Sequence, residues 1–188
     1  AKHLQILVLR KVGQTSDADE LLANLLRIDP LDMAASALAG NDAEIDGETR
    51  LDIAHDLSRS GFYDEAITIL EDHKSNAKYL RELGNAPMIG YTLGYLHWKN
   101  RAPAKGEAAV LKAVQGSQYY CFPHRLEEIS VLEYAIKTVP DRAWPYLHLG
   151  NLLYDRRRYR EAISLWESCS RLDPNNSIAW RNLGIASF

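Results

Sequence analysis

Apolar residues recur along this chain at three- and four-residue spacing, in blocks of about ten to fourteen separated by short polar breaks; this is the period of a helix with one buried face. Lys2 to Lys11 (KHLQILVLRK) is one such block, and Gly13 breaks it. Ala18, Leu22, Leu25 and Ile28 form the next, with Asp17 and Asp19 near its start, where acidic side chains suit the positive end of the helix dipole. Asp29-Pro30 closes it. A short Ala-rich helix is predicted over Leu31 to Leu38, followed by a polar loop to Gly47. Leu51, Ile53, Ala54 and Leu57 mark another helix, Gly61 a turn, and Ala66 and Ile67 the helix after it. An irregular stretch with an extra helical turn at Ala77 to Leu83 comes next, and Pro87 then opens a new helix, since a proline in the first turn sacrifices no hydrogen bond. The pattern predicts an all-α chain of antiparallel helix pairs.

The pairs repeat. Ala143 to Asn176 is one complete helix–turn–helix unit of about 34 residues. Leu149-Gly150 lies in its first helix, Tyr159 and Ala162 open its second, and Trp166 and Asp173-Pro174 follow. Leu93-Gly94 repeats Leu149-Gly150, Gly106 and Ala66 fall where Ala162 falls, and Ala179 to Gly184 restarts the motif. The small residue belongs where two helices cross closely. These spaced positions resemble the tetratricopeptide repeat, which implies a right-handed superhelical solenoid of helix hairpins. Units are predicted at about 1–32, 47–80, 87–120, 143–176 and, in part, 177–188. Between Tyr120 and Ala143 there is room for one helix only, Arg125 to Val139, so 121–142 is predicted to be a half-repeat, with the β-like segment Ser117 to Pro123 in place of the missing helix. The whole is read as one repeat domain with irregular insertions near 31–46, 79–86 and 117–124. Because the chain begins and ends inside helical patterns, it is expected to be a fragment of a longer protein.

With 46% hydrophobic and 25% charged residues, the composition supports a packed core. A net charge of −3 argues against nucleic acid, whose binders carry a basic surface. No apolar run approaches the roughly 20 residues of a membrane span. Cys121 and Cys169 have no metal-type spacing and read as reduced thiols, which fits a cytoplasmic setting.

In a solenoid of this kind the first helices line a concave face. Their free positions are rich in aromatics, which give large contact area and dominate binding energy. The candidate groove for a peptide, a protein or a missing domain of the same chain is therefore Tyr91, Tyr95, Trp98, Trp144, His148, Asn151, Tyr154, Arg181 and Asn182. A helical stripe of aromatics is also what core packing produces. Glu48, Leu51, Asp52, His55, Ser58 and Arg59 are the equivalent face of the 47–80 unit. The repeat family's carboxylate clamp uses Lys and Asn on successive first helices; Asn151 and Asn182 match, but Leu147 stands at the Lys place.

Other chemistry is faint. Arg156-Arg157-Arg158 with Arg160 reads as a solvated turn. The six histidines form no ligand pair, His73 and His97 replacing apolar positions. Cys121 and His124 lack the geometry of a nucleophile and its base, and Glu127-Glu128 reads as an exposed face. No catalytic residue, metal or cofactor is expected. Ile178, Trp180, Leu183 and Ile185 leave the last helix apolar and predict self-association through 177–188.

Cys121 to Pro140, YLHLGNLLYDRRRYREAISLWE and AWRNLGIASF together resemble the C-terminal repeat region of large bacterial proteins that carry an N-terminal β-sandwich domain of unknown function, related in shape to carbohydrate-active enzymes. That resemblance implies that carbohydrate chemistry would belong to a domain absent here. The primary expectation is a non-enzymatic interaction scaffold; the alternative is an accessory helical region of a larger carbohydrate-processing enzyme.

Overall fold

Hairpins of α-helices build the protein throughout the residues that its structure, a computed structural model, describes: 2–41, 45–71 and 80–187, with no strand among them. The chain divides into two compact units, residues 1–73 and 74–188, where the sequence alone reads as one array.

The first unit contains α1 (Lys2–Lys11), α2 (Thr15–Ile28), α3 (Met33–Leu38), α4 (Gly47–Arg59) and α5 (Tyr63–Glu71). Ile6, Ala18, Leu22 and Ala35 bring α1, α2 and α3 onto a common core, covered by Leu9, Leu25 and Leu38. The Asp-Pro signal that closes α2 has a second role. Three residues past Asp29, Asp32 caps α3 by accepting the Ala35 N–H at 2.9 Å. Asp173-Pro174 is followed in the same register by Asn176, whose side chain accepts the Ala179 N–H at 3.1 Å. In the α4–α5 hairpin Ala54 and Ala66 are fully buried at the crossing. Arg50 is buried too, its guanidinium donating to the Ile45 and Ile69 carbonyls at 3.2 and 2.7 Å. Leu51 and His55, expected on an open face, are also buried, because α5 and the chain before α4 close over that side; Asp52 and Arg59 remain exposed.

The second unit contains α6 (Leu80–Lys99), α7 (Pro103–Gln115), α8 (Glu127–Thr138), α9 (Ala143–Asp155), α10 (Tyr159–Leu172) and α11 (Ser177–Ala186). The α6–α7 and α9–α10 pairs are full hairpins, α11 packs on α10, and α8 lies between α6 and α9 with no partner helix of its own. The Leu-Gly signature is explained by contact. A Cβ on Gly150 would sit 2.5 Å from the Trp166 indole nitrogen, and one on Gly94 would sit 2.5 Å from a Val110 methyl and 3.0 Å from the Gly106 carbonyl oxygen. The bare backbone of the first helix is the bed on which the second helix rests.

Two expectations change here. Pro87 does not open a helix. It sits inside α6, which is already helical from Leu80, so the irregularity placed at 79–86 is absent over 80–86. Of the extra turn expected at Ala77 to Leu83, residues 77–79 lie outside the described residues, as does His73. The buried stripe of α8 is also different: Glu128, Val131, Leu132 and Ala135 face inward, while Leu126 is exposed.

Candidate functional site: a pocket beside segment 117–126

The segment 117–126 contains no helix, and it runs across the faces of α6 and α9 where a first helix would otherwise pack. Two devices hold it. At one end a Cβ on Gly84 would stand 2.2 Å from the Tyr120 carbonyl oxygen, so only glycine allows α6 to lie this close to the segment. Tyr120 itself adopts φ 62°, a left-handed conformation that a bulky residue reaches only at a cost. At the other end the fully buried Glu128 carboxylate accepts the backbone N–H groups of His124 and Arg125 at 2.8 and 2.9 Å and pairs with the Arg125 guanidinium at 3.1 Å. Glu128 is therefore no exposed carboxylate. It is the anchor of the loop, and it lies on the inward face of α8 with Val131, Leu132 and Ala135.

Gln118 then closes the segment over the interior. Its amide nitrogen donates to the Ala113 and Gly116 carbonyls at 2.7 and 3.1 Å. Its oxygen accepts the Tyr91 hydroxyl at 2.9 Å and faces His148 Nε2 at 3.1 Å. An amide oxygen cannot donate, so His148 must carry its proton on Nε2. The other ring nitrogen, Nδ1, is buried with no hydrogen-bond partner. Burial lowers the His148 pKa to about 4, so near pH 7 the ring is neutral and Nδ1 is a bare acceptor. Burial, with the Cys121 thiol second, pushes Tyr91 upward.

A pocket of about 270 Å³ opens above this floor, between the segment, α9 and α11. Tyr119, Tyr120 and Phe122 rim it and are exposed by 59, 59 and 74%. Trp144 forms a wall, stacked on His148 at a ring-centroid distance of 5.9 Å and meeting the Tyr119 ring edge-on at 5.4 Å. Asn151 lies one turn beyond His148, and Arg181 of α11 is the one lysine, arginine or carboxylate side chain on its lining among the described residues. A relay fixes these last groups. The Trp166 indole and the Asn182 amide nitrogen donate to Asn151 Oδ1 at 3.0 and 2.8 Å, and Arg181 donates to Asn182 Oδ1 at 3.1 Å. With Asn151 Oδ1 filled in this way, its amide N–H groups face no described acceptor.

Of the nine groove residues expected from sequence, the structure gathers Trp144, His148, Asn151 and Arg181 on the pocket, with Asn182 behind them. Tyr91 is fully buried beneath the floor and is a packing residue, not a contact surface. Tyr95 and Trp98 form a separate cluster with Tyr134, Trp98 stacked on it at 5.3 Å, and Lys99 lies over both rings. Tyr154 packs within its own hairpin on Tyr159 and Trp166. Tyr119, Tyr120, Phe122 and Gln118 were missed; the consecutive aromatics of SQYYCFP were the available signal. Cys169 lies buried on α10 with its pKa pushed up to about 12 by burial and by Asp173, an inert thiol. No group of three or more metal-ligating side chains occurs among the described residues, and none of their helices is long and apolar enough to cross a membrane.

Residues 147–188 match the family model of the tetratricopeptide repeat. The tetratricopeptide match takes in His148, Asn151 and Arg181, whereas Trp144 and the segment 117–126 lie outside it. Among solved structures, the chain resembles MamA, with 19% identity over 95% of this chain and 80% of that one and a TM-score of 0.34. It also resembles YrrB, described as a TPR protein with an unusual peptide-binding site, with 15% identity over 94% and 87% and a TM-score of 0.29. At these scores neither carries a residue's role across to this chain.

Proposed function

We propose that this protein is a non-enzymatic interaction scaffold of the tetratricopeptide type that takes an extended peptide or a segment of a partner protein over the face formed by 117–126, α9 and α11. One observation carries the reading: exposed aromatics converge on a pocket that Asn151 and Arg181 also line. Three exposed rings next to one another are costly to leave in water and are suited to burial against a partner. The groups beneath them give that burial direction and selectivity, as polar groups do in mostly apolar sites.

The exposed rings with Trp144, Asn151 and Arg181 do the binding in this reading, with His148 bracing Trp144 from the buried floor and Asn182 holding Arg181 and Asn151 in place. Trp98, exposed on α6 beside Tyr95, belongs to a second contact patch in this reading. A peptide array screened with the whole chain tests the proposal, followed by anisotropy titrations of the peptides that bind. Phe122→Ser and Arg181→Ala, both at exposed positions, are expected to weaken binding tenfold or more with unchanged circular dichroism. Binding unaffected by both substitutions would move the site elsewhere, and an array without binders would remove the peptide reading.

A further inference from the structure

Resting on the peptide reading above, we infer that the pocket takes an acidic, proline-rich segment of the partner, docked in the extended polyproline conformation. Charge favours an acidic ligand. Arg181 is exposed on the lining, and its guanidinium is bonded to the neutral Asn182 amide oxygen and to no carboxylate among the described residues. No other Lys or Arg and no Asp or Glu shares that lining. A ligand therefore meets one uncompensated positive charge, which attracts glutamate or aspartate and repels lysine.

Hydrogen-bond capacity favours proline. The two amide oxygens of the lining are already filled. Gln118 Oε1 takes the Tyr91 hydroxyl and the His148 Nε2 proton, and Asn151 Oδ1 takes the Trp166 indole and the Asn182 amide. Arg181 can only donate. A common extended segment would bring one backbone N–H per residue to oxygens that are taken, whereas proline brings none and keeps its carbonyl as an acceptor. The rings complete the fit. Tyr119, Tyr120 and Phe122 rim a space of about 270 Å³, and Trp144 meets Tyr119 edge-on, so aromatic surfaces bound the pocket on adjoining sides. Flat, rigid proline rings pack on such surfaces with little freedom to lose, since their φ is fixed before binding.

The test uses acetylated, amidated, fluorescein-labelled nonapeptides of Gly and Ser with a central Glu-Pro-Pro-Glu-Pro, titrated by anisotropy against the whole chain. Matched peptides replace the prolines by alanine, the glutamates by glutamine or the glutamates by lysine. The parent peptide is expected to bind about fivefold or more tighter than the alanine peptide. It should bind about threefold or more tighter than the glutamine peptide, and the lysine peptide should be weakest. Added salt should shrink the glutamate preference and leave the proline preference unchanged. Arg181→Gln should erase the preference for glutamate over glutamine and keep that for proline over alanine, with Arg181→Lys retaining both. Equal binding of the proline and alanine peptides, equal binding of the glutamate and lysine peptides, or a glutamate preference that survives Arg181→Gln each overturns the inference while leaving a peptide site in place. Binding by none of these peptides, when the array yields binders of other composition, overturns it in the same way. Binding by none of them together with an array without binders overturns the peptide reading itself.

Discussion

At the residue scale, the turns of the hairpins show how one backbone requirement is met by different side chains. Gly13 and Gly61 occupy the turns after α1 and α4 with φ 82° and 80°, and Arg101 and Arg157 occupy the matching turns after α6 and α9 with φ 60° and 61°. The arginine run at 156–158 is thus a turn, as its charge suggests, but its middle member sits in a conformation that favours glycine. Arg157 is exposed and no described side chain holds it, so Arg157→Gly should raise stability by about 0.5–1 kcal/mol, read as a higher urea midpoint at unchanged slope. The same scale shows where sequence stops. Tyr91 and Trp144 are both aromatics on a first helix, yet one is core and the other a wall. Their difference lies in Gln118, a residue from an aperiodic segment, which lays its amide on Tyr91 and leaves Trp144 open.

The elements divide in a similar way. Helix stops were legible because their chemistry is local: Asp-Pro ends a helix, and the structure adds that Asp32 and Asn176, two residues past the proline, cap the next one. The break after Pro140 lacks the second half of that device. Arg142 stands at the cap of α9 with extended φ and ψ of −107° and 125° and offers no acceptor. Arg142→Asp should add about 1 kcal/mol, visible as a rise of a few degrees in thermal midpoint. Helix α8 was legible as a lone helix but not in its orientation. An amphipathic count places Ile129 inside and the glutamates outside. The count cannot include two loop N–H groups that need a carboxylate. Glu128→Ala leaves the His124 and Arg125 amides and the buried Arg125 guanidinium without their partner, at a cost of about 3 kcal/mol. Hydrogen exchange should accelerate over 117–126 before it does elsewhere. Equal acceleration across all helices would place the carboxylate's role in the general core instead.

For the molecule as a whole, the buried imidazole sets a pH dependence whose sign is fixed. The His148 pKa is about 4 when folded and about 6.5 when unfolded, so the unfolded chain takes up the proton first as pH falls. The stability tied to a neutral His148 is complete above pH 6.5 and is lost progressively toward pH 4, amounting to about 3 kcal/mol over that window. Denaturation measured at pH 7 and pH 4.5 should show this loss in the native chain and a shallower one in His148→Gln, since other carboxylates titrate in both. The fold class was legible throughout the molecule because helix pairs recur with their own punctuation. The pocket was half legible. Its helical half follows the repeat, and its other half comes from the place where the repeat is interrupted.

That interruption gives the protein an optical handle. The chain has four tryptophans, and Trp144 alone among them lines the pocket, in ring contact with both His148 and Tyr119. Trp166 is buried in its hairpin with the indole N–H held by Asn151. In a chain with Trp98 and Trp180 changed to phenylalanine, any occupant that dries the pocket should shift the emission of Trp144 to shorter wavelength, while Trp166 supplies a constant background. Whatever settles against segment 117–126 would thus announce itself without a label.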